Sequence, residues 1–203
     1  MKEIVLTGRA ACGQCGLGLV PVPRRVHNAG MLDETVQHEF SAGPGYLNTA
    51  SAGLPPKKAV AALRASLADW EEGRCDPASF DEDVERARRA YGRIVGADLE
   101  SVGIVSQVSV VSGLVASSLA EGATVLCAEE DFTSVLFPFL ADTRLDVQLV
   151  PLQQLIDRIE PTTDLVAVSA VQTADGRVLD LDRLADTAHQ TGTRTYVDVT
   201  QAA

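Results

Sequence analysis

Four polar stretches follow apolar runs in the second half of the chain, and each carries residue types that chemistry can use. Ser106-Gln107-Val108-Ser109 opens a helical pattern. Backbone N–H groups and a hydroxyl at a helix N-terminus bind phosphate. The blander reading is that Ser106 or Ser109 caps the helix. Glu129-Glu130-Asp131-Phe132-Thr133-Ser134 follows the run Thr124–Ala128. It puts an aromatic ring, Phe132, where it can stack on a planar ligand or pack into a core. Gln172-Thr173-Ala174-Asp175-Gly176 is a polar loop closed by glycine, and on its plainest reading a turn. Tyr196-Val197-Asp198-Val199-Thr200-Gln201 ends an apolar strand in a carboxylate without an evident local partner. Burying it requires a positive or hydrogen-bonding partner, unless it caps a following helix.

Other constellations offer less. Cys12 and Cys15 form a CxxC, but no second pair stands at zinc spacing, so no metal site is expected. Gly16 and Gly18 interrupt the helix that a redox CxxC needs, which leaves an ordinary extension as the simplest reading. The glycines form neither a GxGxxG nor a GxxxxGK[ST] loop. His27, His38 and His189 share no spacing. Cys75 and Cys127 complete a count of four cysteines, too few for a disulfide scaffold.

These stretches need elements to position them. Short apolar runs predict strands at Val102–Val105, Thr124–Ala128, Val147–Val150, Leu165–Val171 and Thr195–Asp198. Helical patterns lie near Val108–Ala120, Ser134–Leu140, Leu152–Ile159 and Leu181–Thr191. Strands alternating with helices predict an α/β protein, a three-layer α/β/α sandwich on a mostly parallel sheet. Ligands of such sheets bind at the carboxyl ends of the strands, where the four stretches stand. Upstream, Val60, Leu63, Leu67 and Trp70 mark one helix after Pro55-Pro56 and before Gly73. Phe80, Val84, Ala87, Tyr91 and Ile94 mark another, whose charged run Asp81–Arg89 reads as a solvated face.

The order of these features resembles the large domain of the class V aminotransferases, the group that includes the cysteine desulfurases. These are fold-type I enzymes that use pyridoxal 5′-phosphate (PLP). "YLNTASAGLPP" is similar to the family's opening segment, and "SQVSVVSG" takes the place of its phosphate-binding turn, implying Val108 and Ser109 there. "EEDFTSVLFP" resembles the segment with the ring-stacking residue, here Phe132. "VSAVQTADG" takes the place of a loop contacting the phenolic oxygen, which implies Thr173 and, less directly, Gln172. "YVDVTQAA" resembles the Asp-x-x-Gln motif. There Asp198 would keep the pyridine nitrogen protonated and Gln201 would bond the ring oxygen.

The resemblance covers Tyr46 to Ala203, and its largest departure from the family concerns a lysine. Such enzymes need a Schiff-base lysine, and the chain has only Lys2, Lys57 and Lys58, none placed after the sheet. The resemblance therefore implies the first half of such an enzyme, incomplete at its C-terminus, with no catalytic residue of its own. It implies an amino acid substrate and a homodimer or a complementing C-terminal half. The alternative is a non-catalytic α/β scaffold, a pseudoenzyme or one subunit of a split enzyme. None of the four cysteines stands where a desulfurase cysteine belongs.

Composition agrees with a globular α/β protein. The chain has 203 residues, 46% hydrophobic but only 4% aromatic, so its core must be Val, Leu, Ile and Ala. Its net charge of −11 disfavours nucleic acid and anionic membranes as partners. Residues 1–40 carry none of that net charge and read as an N-terminal extension of uncertain structure. Ser41–Gly45 reads as a hinge into the body, residues 41–203. No signal-peptide pattern opens the chain, which makes the cytoplasm the expected compartment.

Overall fold

Val125, Leu126, Val166, Val168 and Val197 belong to short runs dense in β-branched and aliphatic residues, and these runs form the sheet at the centre of the fold. The computed structural model describes residues 34–41, 43 and 45–202. Cys12, Cys15, His27 and Lys2 lie outside them. Among the described residues the chain divides into two compact units, one ending at Val95 and a second beginning at Gly96.

The second unit holds β1 (Thr124–Ala128), β2 (Asp146–Val150), β3 (Leu165–Ser169) and β4 (Arg194–Asp198), all parallel, in the order β2-β1-β3-β4. Three helices accompany them: α4 (Val108–Ser117), α5 (Thr133–Leu140) and α6 (Leu181–Thr191). The pleat sends alternate side chains to opposite faces. Val125, Cys127, Leu165, Ala167 and Tyr196 pack with Val108, Val111, Val135 and Phe139 of α4 and α5. Leu126, Val166, Val168 and Val197 pack on the other face with Leu184 of α6 and with Leu152, Leu155 and Ile156. The expected three-layer sandwich is therefore present, buried on both faces as parallel sheets are.

Local signals place α6 well. Asp180 accepts a hydrogen bond from the Arg183 N–H at its start, and Gly192 ends it at φ 75°, a left-handed turn that favours glycine. Two expectations need correction. Val102–Val105 is not a strand. It pairs with none of the four strands, and with Gly103 and Ile104 exposed it lacks the burial on both faces that a strand inside a parallel sheet has. Leu152–Ile159 is not one helix but two 3-10 turns, Leu152–Gln154 and Ile156–Arg158. Both arrangements put Leu152, Leu155, Ile156 and Ile159 on the sheet, because 3-10 turns also align i and i+3.

In the first unit, a single turn α1 (Glu34–Gln37) precedes α2 (Lys57–Glu71) and α3 (Ser79–Val95). Pro56 is the N-cap of α2, and Gly73 takes φ 73° just beyond its end. Asp81 and Glu82 in the first turn of α3 and Arg93 in its last complement the helix dipole. The helices match the sequence, but Leu63, Leu67 and Trp70 of the α2 stripe remain exposed. No helix among the described residues is long and apolar enough to cross a membrane.

Candidate functional site

Parallel strands put their carboxyl ends on one edge. Ala128 pairs with Val150 there, and Ser169 with Asp198. Alternation gives Asp198 the same face as Tyr196, the face under α4 and α5. Tyr196 Oη meets Ser112 Oγ of α4 at 2.9 Å. The C-terminal end of α4 lies at the opposite edge, where Arg144, two residues before β2, donates to the carbonyls of Leu119 (3.3 Å) and Ala116 (3.5 Å). The N-terminus of α4 therefore points toward the carboxyl edge. Ser109 lies about 4.5 Å beyond Ser112 along the helix. Asp198 lies about 7 Å beyond Tyr196 along the strand. Both advance from one contact to one edge.

No side chain caps α4: its N-cap is Gln107, whose side chain makes no capping bond. Val108 is buried, so only its backbone can serve a ligand, whereas Ser109 is partly exposed. The first amides of an uncapped helix are anion donors.

Between β1 and α5 the chain passes through Glu129–Phe132. Phe132 is the N-cap of α5 and is 38% exposed. The residue before it stands out in the sequence only as part of an acidic run. Asp131 is 7% exposed and ties this loop to β3. Its Oδ1 accepts from the Phe132 N–H (2.7 Å) and the Ser169 hydroxyl (2.5 Å), and its Oδ2 from the Ser169 N–H (2.7 Å). Ser169 lies 38 positions away, so no local pattern marks the pair.

After β3, Val171 bridges Val178 antiparallel, and the Gln172 N–H donates to the Arg177 carbonyl at 2.9 Å. Gly176 turns the loop at φ 74°. Thr173 is exposed at this turn, while Gln172 is 2% exposed and its Nε2 has no hydrogen-bond partner in the structure. A buried donor left unpaired costs about 1–3 kcal/mol, which a ligand oxygen can relieve. Arg177 bonds Asp175 (2.7 Å) and Glu130 (3.2 Å), closing the loop against the one after β1. Burial alone would raise the Glu130 carboxyl, but the Leu152 amide and Arg177 outweigh it and hold it below the usual carboxylate range.

Asp198 is 5% exposed. Its Oδ1 accepts from both the N–H (2.8 Å) and the hydroxyl (2.6 Å) of Thr200. Oδ2 is left for another donor. Gln201 is partly buried in the turn beyond β4. The edge thus assembles helix amides and a hydroxyl for an anion, an aromatic face, an unpaired amide donor and a carboxylate. That set suits a planar ring with an anionic tail and a protonated nitrogen.

No lysine belongs to this edge unit among the described residues. Lys57 donates to the His38 carbonyl at 2.5 Å, and Lys58 lies 3.7 Å from Glu39. No cluster of metal-ligating side chains exists among the described residues. Cys127 is fully buried in β1, and burial, with a smaller effect of Asp131, pushes its thiol up to about 12. Cys75 is partly exposed. Brief alkylation of the native protein followed by peptide mass spectrometry is therefore expected to modify Cys75 and spare Cys127. Equal modification of the two would contradict the burial of β1.

The fold has counterparts among known proteins. The family model described as Aminotransferase class-V matches residues 79–203. An uncharacterized aminotransferase of Bacillus subtilis, YcbU, is 30% identical over 131 residues, 60% of this chain and 35% of its own. A structure of C-DES, a lysine-to-alanine mutant with glycine covalently linked to its PLP cofactor, superposes with a TM-score of 0.72 at 20% identity. It covers 82% of this chain and 50% of C-DES. The cysteine desulfurase CsdA of Escherichia coli superposes with a TM-score of 0.66 at 19% identity, covering 85% of this chain and 52% of CsdA. The chain thus spans about a third of the curated relative and half of these structures. Their fold is the one expected from the sequence, and the cofactor in C-DES is the expected one. With the family model matching well over half of its length, the chain belongs to the class-V aminotransferase family.

Proposed function

We propose that the carboxyl edge of this sheet is the cofactor-holding part of a PLP-dependent enzyme acting on an amino acid. The observation that carries the reading is Asp198. It is a buried strand-end carboxylate with Oδ1 occupied by Thr200 and Oδ2 left for a donor. When bound, PLP supplies an electron sink for bonds at the amino acid's α-carbon. Asp198 holds a proton on the ring nitrogen. The α4 amides of Val108 and Ser109, with the Ser109 hydroxyl, bind the phosphate. Phe132 stacks on the ring, and Thr173, Gln172 and Gln201 donate to its oxygen. The unpaired Nε2 of Gln172 fits that last role. The reactive lysine is not among the chain's three lysines and comes from outside these 203 residues. A homodimer or a complementing segment supplies the remainder, in the cytoplasm.

The lysine positions favour a second reading for the chain by itself: a scaffold that holds the cofactor without turnover. The two readings share one test. Titration of the 203-residue chain with PLP, followed by fluorescence, is expected to show saturable binding. An aromatic stacking contact contributes about 0.5–1.5 kcal/mol, so Phe132→Ala should weaken it roughly 2- to 10-fold. No saturable binding by the unmutated chain would overturn the cofactor reading. Turnover of an amino acid with PLP would overturn the scaffold reading.

A further inference from the structure

We infer that Asp131 is a positioning residue that sets the Phe132 ring relative to the carboxyl ends of β3 and β4. The inference rests on the cofactor reading above and adds a residue to it. Asp131 touches none of the groups assigned to the ligand; it acts through its neighbours. One of its oxygens receives the backbone N–H of Phe132 and the hydroxyl of Ser169, and the other receives the Ser169 N–H. Ser169 is the register partner of Asp198, and the next residue, Ala170, donates its N–H to the Asp198 carbonyl at 2.8 Å. One buried carboxylate therefore joins the loop bearing the aromatic ring to the strand pair bearing the ring-nitrogen partner.

The chemistry requires an acceptor at both oxygens. Three donors converge on two atoms, and a carboxylate alone among side chains offers two acceptor oxygens with no donor. A buried carboxylate is costly unless hydrogen-bonded, and these three bonds meet that cost. A carboxylate at this point holds the backbone amide of the residue that bears the ring, and so the position from which the ring projects.

Asp131→Asn tests this in the full chain. The amide keeps the volume but turns one acceptor into a donor, which must then face an N–H or a hydroxyl. PLP affinity is measured for the unmutated chain, Asp131→Asn, Phe132→Ala and the double variant, with thermal melts of each. If Asp131 acts through the ring, Asp131→Asn weakens binding by about the factor found for Phe132→Ala. The double variant then binds no more weakly than either single variant. A general loosening of the fold would instead multiply the two losses, and that outcome overturns the inference. So does Asp131→Asn binding PLP as tightly as the unmutated chain. If Asp131→Asn does not fold, Ser169→Ala, which removes one donor of the three, takes its place under the same criteria. Should the unmutated chain fail to bind PLP, the cofactor reading falls and this inference with it. Binding that survives Asp131→Asn overturns the inference alone.

Discussion

Asp198→Asn is expected to weaken PLP binding by about 10- to 150-fold and to leave the thermal midpoint nearly unchanged. The substitution is isosteric, and an asparagine oxygen still accepts the two Thr200 donors that Oδ1 now accepts. What changes is the other side of the group. Its oxygen becomes an amide nitrogen, which donates and carries no charge, so it can neither accept from a protonated ring nitrogen nor keep it protonated. A hydrogen bond to a charged group contributes about 1.5–3 kcal/mol, which converts to the fold-change stated. Fluorescence titration gives the affinity and a melting curve gives the fold. An affinity equal to that of the unmutated chain removes Asp198 from the site. A large drop in melting temperature with proportionate loss of binding would make Asp198 a structural residue whose second oxygen matters to folding.

The same residue shows how much is legible in the sequence. Asp198 has two readings there, a ligand for a positive group or a cap for a succeeding helix. The structure gives each a share, because one oxygen closes a local turn with Thr200 while the other is left. α6 is legible to the residue, because its start and stop are local: Asp180 before it and Gly192 after it. Val102–Val105 misleads because a short apolar run does not say whether a partner strand lies beside it, and here none of the four strands pairs with it. Asp131 escapes a sequence reading for a related reason. Its partners are its own neighbour Phe132 and a serine on another strand, so its role exists only once the sheet has formed. Of the two candidates in the loop after β3, apolar patterning cannot say which is buried. The antiparallel bridge from Val171 to Val178 decides it, enclosing Gln172 and leaving Thr173 exposed.

Stability should fall steeply as pH rises from about 9 toward 12, through two groups on the α4–α5 face of the sheet. Burial pushes the Cys127 thiol from 9.0 up to about 12, and the charge of Asp131 adds to it. Burial likewise pushes the Tyr196 phenol from 10.0 to about 12, with Asp198 and Asp131 adding and the Ser112 hydrogen bond opposing. Both are acids whose folded pKa lies above the unfolded value, so the native state holds protons that the unfolded chain has already released. Their contribution is complete below about pH 9 and is lost as pH climbs through the folded pKa of about 12. Each group costs about 1.4 kcal/mol per pH unit across its own window. Urea midpoints measured from pH 8 to 11 should therefore decline, and the double variant Cys127→Ala with Tyr196→Phe should flatten the decline. The comparison is of slopes, because Tyr196→Phe also leaves the buried Ser112 hydroxyl without its partner, at about 1–3 kcal/mol at every pH. Equal slopes for the two proteins would mean that neither group is closed to water in the folded state. The layer between α4 and the sheet would then be open, and the alignment of Ser109 with Asp198 that depends on it would not hold.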